Sequence, residues 1–163
     1  MEVTVQNSSL TRVMCDAIVC PANSFGMMGG GVAKHLKELG GDDIEEDAIA
    51  QAPTEIGTAI STEAGQLRCE YIIHSPTMRD PGTQTDENSV RDAVRAALQK
   101  ADELECESIA IPGMGTGIGG IGKDVAARAM VEVIEAYPAK HVAEVYLLDI
   151  DEDMVAAWEQ NLK

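Results

Sequence analysis

Basic residues are in short supply in this chain, with 12 Lys and Arg against 28 Asp and Glu for a formal charge of −16. That balance repels nucleic acid and anionic membranes at long range, so neither is expected as a partner. Rings are scarcer still, with one Trp, one Phe and three Tyr. The cysteines, at 15, 20, 69 and 106, lack C-x-x-C spacing, which excludes zinc ribbons and dithiol redox centres of the usual pattern and leaves four reduced core residues. His35, His74 and His141 are too dispersed to suggest a metal site, and no metal or cofactor is expected. No apolar run approaches the roughly 20 residues needed to cross a bilayer. Met1-Glu-Val-Thr-Val5 shows neither a basic n-region nor an apolar h-region, so the expectation is a cytoplasmic protein. Low-complexity linkers, internal repeats and charged tails are also absent, which predicts one domain over residues 1–163.

What is present is an ordinary globular mixture, 45% hydrophobic and 25% charged. The acidity fits a solvated surface or adaptation to a salty cytoplasm, and without an evident apolar patch it favours a monomer. It also constrains any anion site. A phosphate could be held here only locally, by backbone amides, and not by a basic field.

Periodicity predicts alternating strands and helices. Glu2 to Gln6 alternates Val3 and Val5, and Asp16 to Ala22 is an apolar run of the kind buried on both faces of a sheet. Val32, Leu36 and Leu39 give a helix from about Gly31 to Leu39, stopped by Gly40-Gly41, and Asp42 starts a second, acidic helix. Ile56 to Thr62 and Glu70 to Ser75 read as strands of a hairpin, Thr77 to Thr85 as a loop, and Val90, Val94, Leu98 and Ala101 as a helix face ending near Leu104. Ser108 to Pro112 is a strand, Lys123 to Ala136 a helix, Val142 to Asp149 a strand, and Met154, Trp158 and Leu162 a last helical face. The order predicts a three-layer α/β/α sandwich with a central mixed, mostly parallel sheet, whose ligands sit beyond the C-terminal ends of the strands.

Two glycine-rich loops occupy that kind of position. The first, Asn23-Ser-Phe-Gly-Met-Met-Gly-Gly-Gly31, leaves one buried strand, and the second, Gly113-Met-Gly-Thr-Gly-Ile-Gly-Gly-Ile-Gly122, leaves another. Each opens onto a helix N-terminus, where unpaired N–H groups and a partial positive charge suit a phosphate. Two other motifs compete for the second loop. Gly115-x-Gly117-x-x-Gly120 fits a dinucleotide fingerprint but lacks the acidic residue about 20 positions on, Asp149 being the nearest strand-end candidate. Gly117-x-x-x-x-Gly122-Lys123 approaches a nucleotide P-loop, but Asp124 stands where a hydroxyl should hold Mg²⁺.

Asp16-Ala-Ile-Val-Cys-Pro-Ala-Asn23, then Gly29-Gly-Gly-Val32, then Ser108-Ile-Ala-Ile-Pro-Gly-Met-Gly-Thr-Gly-Ile-Gly-Gly120 resemble the macro domain family over essentially the whole chain. The resemblance implies an ADP-ribose site. Asn23 stands where the family contacts the distal ribose, although an Asx-turn that shapes the loop would use the same side chain. Gly29, Gly30, Gly31 and Val32 would wrap the distal ribose. Gly115, Thr116, Gly117, Ile118, Gly119 and Gly120 would receive the diphosphate, with Thr116 as a hydroxyl donor.

The departures from the family are equally specific. Ser9, followed by Leu10, stands where an Asp usually takes the adenine amino group. Gly119 replaces a frequent aromatic, which implies a more open and mobile loop. Ile150 replaces a Tyr that some members stack on adenine. In one hydrolytic branch an Asp follows the Gly-Gly-Gly-Val motif, where this chain has Ala33, and another uses a first-loop Lys with a second-loop Asp, where this chain has Gly119. Lys34 and Lys37 read as solvent-facing. Two readings follow: hydrolysis of ADP-ribosyl esters on protein acidic residues or small derivatives, with Asn23 positioning water, or a non-catalytic module that binds ADP-ribose, related diphosphates or ADP-ribosylated proteins. A P-loop-like NTPase using Gly117 to Lys123 is the remaining alternative.

Overall fold

The computed structural model describes residues 1–163. Six strands form one sheet in the order β1-β6-β5-β2-β4-β3, comprising β1 (Glu2–Asn7), β2 (Ala17–Asn23), β3 (Ile60–Glu63), β4 (Tyr71–Met78), β5 (Ser108–Ile111) and β6 (Glu144–Asp149). Every neighbouring pair is parallel except β3 with β4, the hairpin read from the sequence. The helices are α1 (Gly31–Gly40), α2 (Asp43–Ala50), α3 (Glu87–Glu103), α4 (Lys123–Ala136) and α5 (Glu152–Asn161).

Strand alternation assigns the two layers. Ala17 and Val19 of β2, Ile109 and Ile111 of β5, and Val145 and Leu147 of β6 pack under α3, α4 and α5. Ile18, Cys20, Ala110 and Leu148 face the opposite way, into a smaller cluster with Leu36 of α1 and Ile44 of α2. Each fully buried Ile or Leu contributes about 1.5–3 kcal/mol relative to exposure, so a one-residue slip in register would be heavily penalised. The result is a three-layer α/β/α sandwich.

Three strand boundaries differ from the sequence pattern by more than one residue, each for an identifiable reason. β3 begins at Ile60 because Gly57 has a φ of 97° and Thr58 turns back to donate both its N–H and its hydroxyl to the Glu55 carbonyl. β4 continues through Pro76 to Met78. Its pairing with β3 stops at His74, so the missing proline N–H interrupts no ladder on that side. β6 starts at Glu144 because the N–H groups of Lys140, His141 and Val142 all donate to the Asp102 carboxylate, as does the Tyr137 hydroxyl. Burial opposes ionisation of Asp102, but these hydrogen bonds outweigh it and hold its pKa below the usual carboxylate value.

Candidate functional site

Five parallel strands release their C-terminal ends at one edge of the sheet, and that edge collects the loops in a fixed spatial order. Residues 8–13 leave β1, 150–151 leave β6, 112–122 leave β5, 24–30 leave β2 and 79–86 leave β4. The two glycine loops are therefore neighbours. A Cβ built on Gly30 would lie 4.0 Å from Ile118 Cδ1, which places the first loop directly across from the second.

Asn23 organises the first loop. Its Oδ1 accepts the N–H of Phe25 at 3.0 Å and of Met27 at 3.4 Å, and its Nδ2 donates to the Met27 carbonyl at 2.8 Å. The turn-shaping role is thus realised, and one Nδ2 proton remains free for a ligand. Glu45, on α2, secures the far end of the loop by accepting the Met28 N–H at 2.6 Å while pairing with Lys37 at 3.3 Å. Gly26 has φ 79°, and a Cβ there would come within 2.8 Å of the Ala48 backbone, so only glycine fits. Gly29, Gly30 and Gly31 stay exposed, and α1 starts at the Gly30 cap without a side-chain hydrogen bond.

The second loop is braced at both of its ends. Gly113 N–H donates to Asp149 Oδ2 at 3.1 Å, and Ile121 N–H returns to the Gly115 carbonyl at 3.0 Å. Between them, the N–H groups of residues 114–119 donate to nothing in the chain, and the Thr116 hydroxyl also lacks a partner. α4 begins at Gly122 with no side-chain cap, whereas Asp86 and Asp151 cap α3 and α5. Such a run of unpaired donors beside two uncapped helix N-termini is suited to an anion.

Gly119 does not make the loop more open. It is buried, its carbonyl accepts the Thr85 N–H at 3.0 Å, and a Cβ would meet the Gly115 carbonyl oxygen at 2.6 Å and Thr85 Cγ2 at 2.9 Å. Thr85 also donates its hydroxyl to the Thr77 carbonyl, tying the loop after β4 to the glycine loop. Neither Thr85 nor Glu45 carries a motif, and only the three-dimensional arrangement brings them to the site.

Ser9 caps a short 3-10 turn, residues Leu10–Arg12, at the end of β1. Leu10 is only 6% exposed and packs into the smaller core cluster, so its side chain supports the edge and does not line it. Ile150 is 80% exposed and Ile118 61%, apolar surface that the rest of the chain leaves uncovered. Val32 is half-buried behind the α1 N-terminus, and Ala33 is buried. Lys34 lies 3.9 Å from Glu38, so neither first-helix lysine is a free cation. Lys123 pairs with Asp151 and lies 3.8 Å from Asp153; the hydrogen bond to Asp151 raises its pKa. It is turned to α5 and away from the position a P-loop lysine requires.

Neither loop contains a titratable side chain between residues 24 and 33 or between 112 and 122. The two loops present amides, the Asn23 carboxamide and the hydroxyls of Ser24 and Thr116. These groups can hold charge and orient a ligand. Two concavities, one bordered by Glu63, Gly65 and Tyr71 and another by Asp124, Asp153 and Gln160, lie outside the two glycine loops.

The Macro domain family model matches residues 19–130, a span that includes both glycine loops. An uncharacterized protein of Aquifex aeolicus is 51% identical over 162 residues, covering 99% of this chain and 98% of that protein. An uncharacterized protein of Aeropyrum pernix is 36% identical, covering 99% and 85%. Among solved structures, the Oceanobacillus iheyensis macrodomain with MES bound has a TM-score of 0.84 at 21% identity, covering 98% of this chain and 88% of that one. The Trypanosoma brucei macrodomain in complex with ADP-ribose has a TM-score of 0.85 at 21% identity, covering 98% and 68%.

Proposed function

The chain belongs to the macro domain family, and we propose from that membership and from the loop geometry that it binds ADP-ribose across the two glycine loops. The observation that carries the proposal is the run of residues 114–119, whose amides donate to nothing in the chain, in a loop whose Ile118 lies across from Gly30 of the first loop. On a chain of charge −16, a diphosphate must be held by short-range dipoles, and this run provides them. The solved relative with ADP-ribose bound supports the same ligand class.

In this reading the diphosphate lies along residues 114–119, with Thr116 adding a hydroxyl donor. The distal ribose lies against Gly29, Gly30 and Gly31, within reach of the remaining Nδ2 proton of Asn23. Because Oδ1 of Asn23 is already engaged by two N–H groups, that residue donates to the ligand and does not act as a base. ADP-ribosylated proteins are the corresponding partner class.

Hydrolysis of an ADP-ribosyl ester is the second reading, and the lability of such an ester favours it. With no titratable side chain in either loop, the attacking water would be positioned by Asn23 and the amides and assisted by the substrate's own phosphate. Binding comes first because the unpaired amides of residues 114–119 and the remaining Asn23 Nδ2 proton support it without calling on a catalytic side chain.

Calorimetric titration with ADP-ribose, ADP, ATP and NAD tests the proposal, with ADP-ribose expected to bind most tightly. No heat with ADP-ribose at millimolar concentration would remove it. Single-turnover release of ADP-ribose from a modified protein separates hydrolase from binding module, and Asn23→Ala is expected to weaken either activity.

A further inference from the structure

Acids crowd the start of α2, and four of them, Asp42, Asp43, Glu46 and Asp47, are exposed, as a solvated helix face requires. Glu45 is the exception. Its half-buried carboxylate is engaged at both oxygens, Oε2 accepting the Met28 N–H at 2.6 Å and Oε1 the Lys37 ammonium of α1 at 3.3 Å. A hydrogen bond to an ionised acceptor is roughly twice as strong as a neutral one. Lys37 also offsets the negative charge, so the carboxylate can hold the loop without repelling an anion bound beside it.

The amide that Glu45 holds belongs to the last residue before the three exposed glycines. Met28 is itself 1% exposed and packs in the smaller core cluster with Leu36 of α1 and Ile44 of α2. α2 touches the same loop again at Gly26, where a Cβ would come within 2.8 Å of the Ala48 backbone. Beyond Met28, α1 starts at the Gly30 cap with no side-chain hydrogen bond. The placement of Gly29, Gly30 and Gly31 is therefore inherited from the two anchors before them, Asn23 for residues 25–27 and Glu45 for Met28.

We propose that Glu45, clamped by Lys37, is a positioning residue for the ribose-facing loop, so that its loss weakens the hold on the distal ribose and leaves the hold on the diphosphate unchanged. This rests on the proposed ADP-ribose site and deepens it by assigning what keeps its glycine wall in place. The separation follows from the fold. The amides of residues 114–119 belong to a loop anchored on β6 through Asp149, with no bond to α2. A wall that is already in place costs a ligand no ordering on binding, and only the part of the ligand that touches it gains.

The experiment titrates the full chain with ADP-ribose and with ADP, which lacks the distal ribose, for the wild type, Glu45→Ala and Glu45→Gln. Alanine leaves the Met28 amide without an acceptor, and ADP-ribose affinity is expected to fall about tenfold while ADP stays within about twofold. Glutamine keeps a neutral acceptor but loses the Lys37 pair, so it should recover most of the loss, ending about threefold below the wild type for ADP-ribose alone. Hydrogen exchange at the Met28 amide should quicken in the same order. Equal losses for the two ligands, or an ADP-ribose Kd that does not move, overturn the inference while leaving ADP-ribose binding intact. Should Glu45→Ala not fold, Glu45→Gln decides by itself, an unchanged ratio of the two Kd values overturning the inference. Failure of the wild type to bind ADP-ribose overturns the binding site as well.

Discussion

The Gly113 N–H donates to Asp149 Oδ2 at 3.1 Å, and this one contact fixes where the second glycine loop departs from the sheet. Asp149 uses its other oxygen, Oδ1, to accept the Asp151 N–H at 2.9 Å, and its carbonyl accepts from Asn7 Nδ2 at 2.9 Å. The ends of β1, β5 and β6 are thereby joined. A Cβ on Gly113 would lie 3.0 Å from Asp149 Oδ2 and 3.1 Å from Met154, so the close approach needs glycine.

Replacing Asp149 by Ala should therefore act on the loop before it acts on the fold. Loss of two charge-assisted hydrogen bonds at a half-exposed site is expected to cost about 1–3 kcal/mol of stability. The informative readout is binding. ADP-ribose affinity should fall about tenfold as residues 114–119 lose their anchor to the end of β6, a change of about 1.4 kcal/mol. An unchanged Kd in the folded variant would separate Asp149 from the site.

Gly30 faces Ile118 across the space between the loops, and its backbone is extended, with φ −161°. A side chain there is conformationally allowed, so Gly30→Phe should leave stability within about 1 kcal/mol, the scale of changes at a helix cap. The ring would fill the gap, and ADP-ribose affinity should drop by tenfold or more, about 1.4 kcal/mol at least. Near-normal binding by a folded Gly30→Phe protein would place the ligand elsewhere.

The sequence reading and the structure agree where periodicity and glycine spacing carry information, and part where long-range partners decide. The alternation of Ala17, Ile18, Val19 and Cys20 between two clusters is what an apolar strand buried on both faces requires. Both glycine loops were legible because they stand between strand and helix patterns. Gly119 was misread as an opening because nothing local shows that Thr85, from the loop after β4, closes over it. Glu45 looked like one more acid on an acidic helix until the fold set its carboxylate against the Met28 amide. The start of β6 depended on Asp102, some forty residues earlier in the chain.

Lys123 provides a control that distinguishes the nucleotide-hydrolase alternative. Its ammonium is engaged by Asp151 and lies near Asp153, and Asp124 follows it at the helix start. Lys123→Ala is accordingly expected to leave ADP-ribose affinity within about twofold, a difference of only a few tenths of a kcal/mol. Magnesium-dependent ATP turnover should be absent from both proteins. Turnover in the wild type that disappears in Lys123→Ala would restore the P-loop reading.

His74 gives the fold a pH dependence of definite sign. It is buried on β4 with its Nε2 2.9 Å from Thr62 Oγ1, and burial lowers its pKa from 6.5 to about 4. Between these values the unfolded chain binds the proton and the folded chain does not. The neutral imidazole's contribution is fully present above pH 6.5 and is lost as pH falls toward 4. From pH 7 to 5 the loss from this residue is about 2 kcal/mol. Carboxylates titrate in the same range, so the measurement is a difference: denaturant unfolding of wild type and His74→Asn at both pH values. Asparagine retains polarity toward Thr62 without titrating, and whatever its stability at pH 7, its loss on acidification should be smaller by about 2 kcal/mol. Equal losses in the two proteins would mean that His74 is not held neutral in the fold.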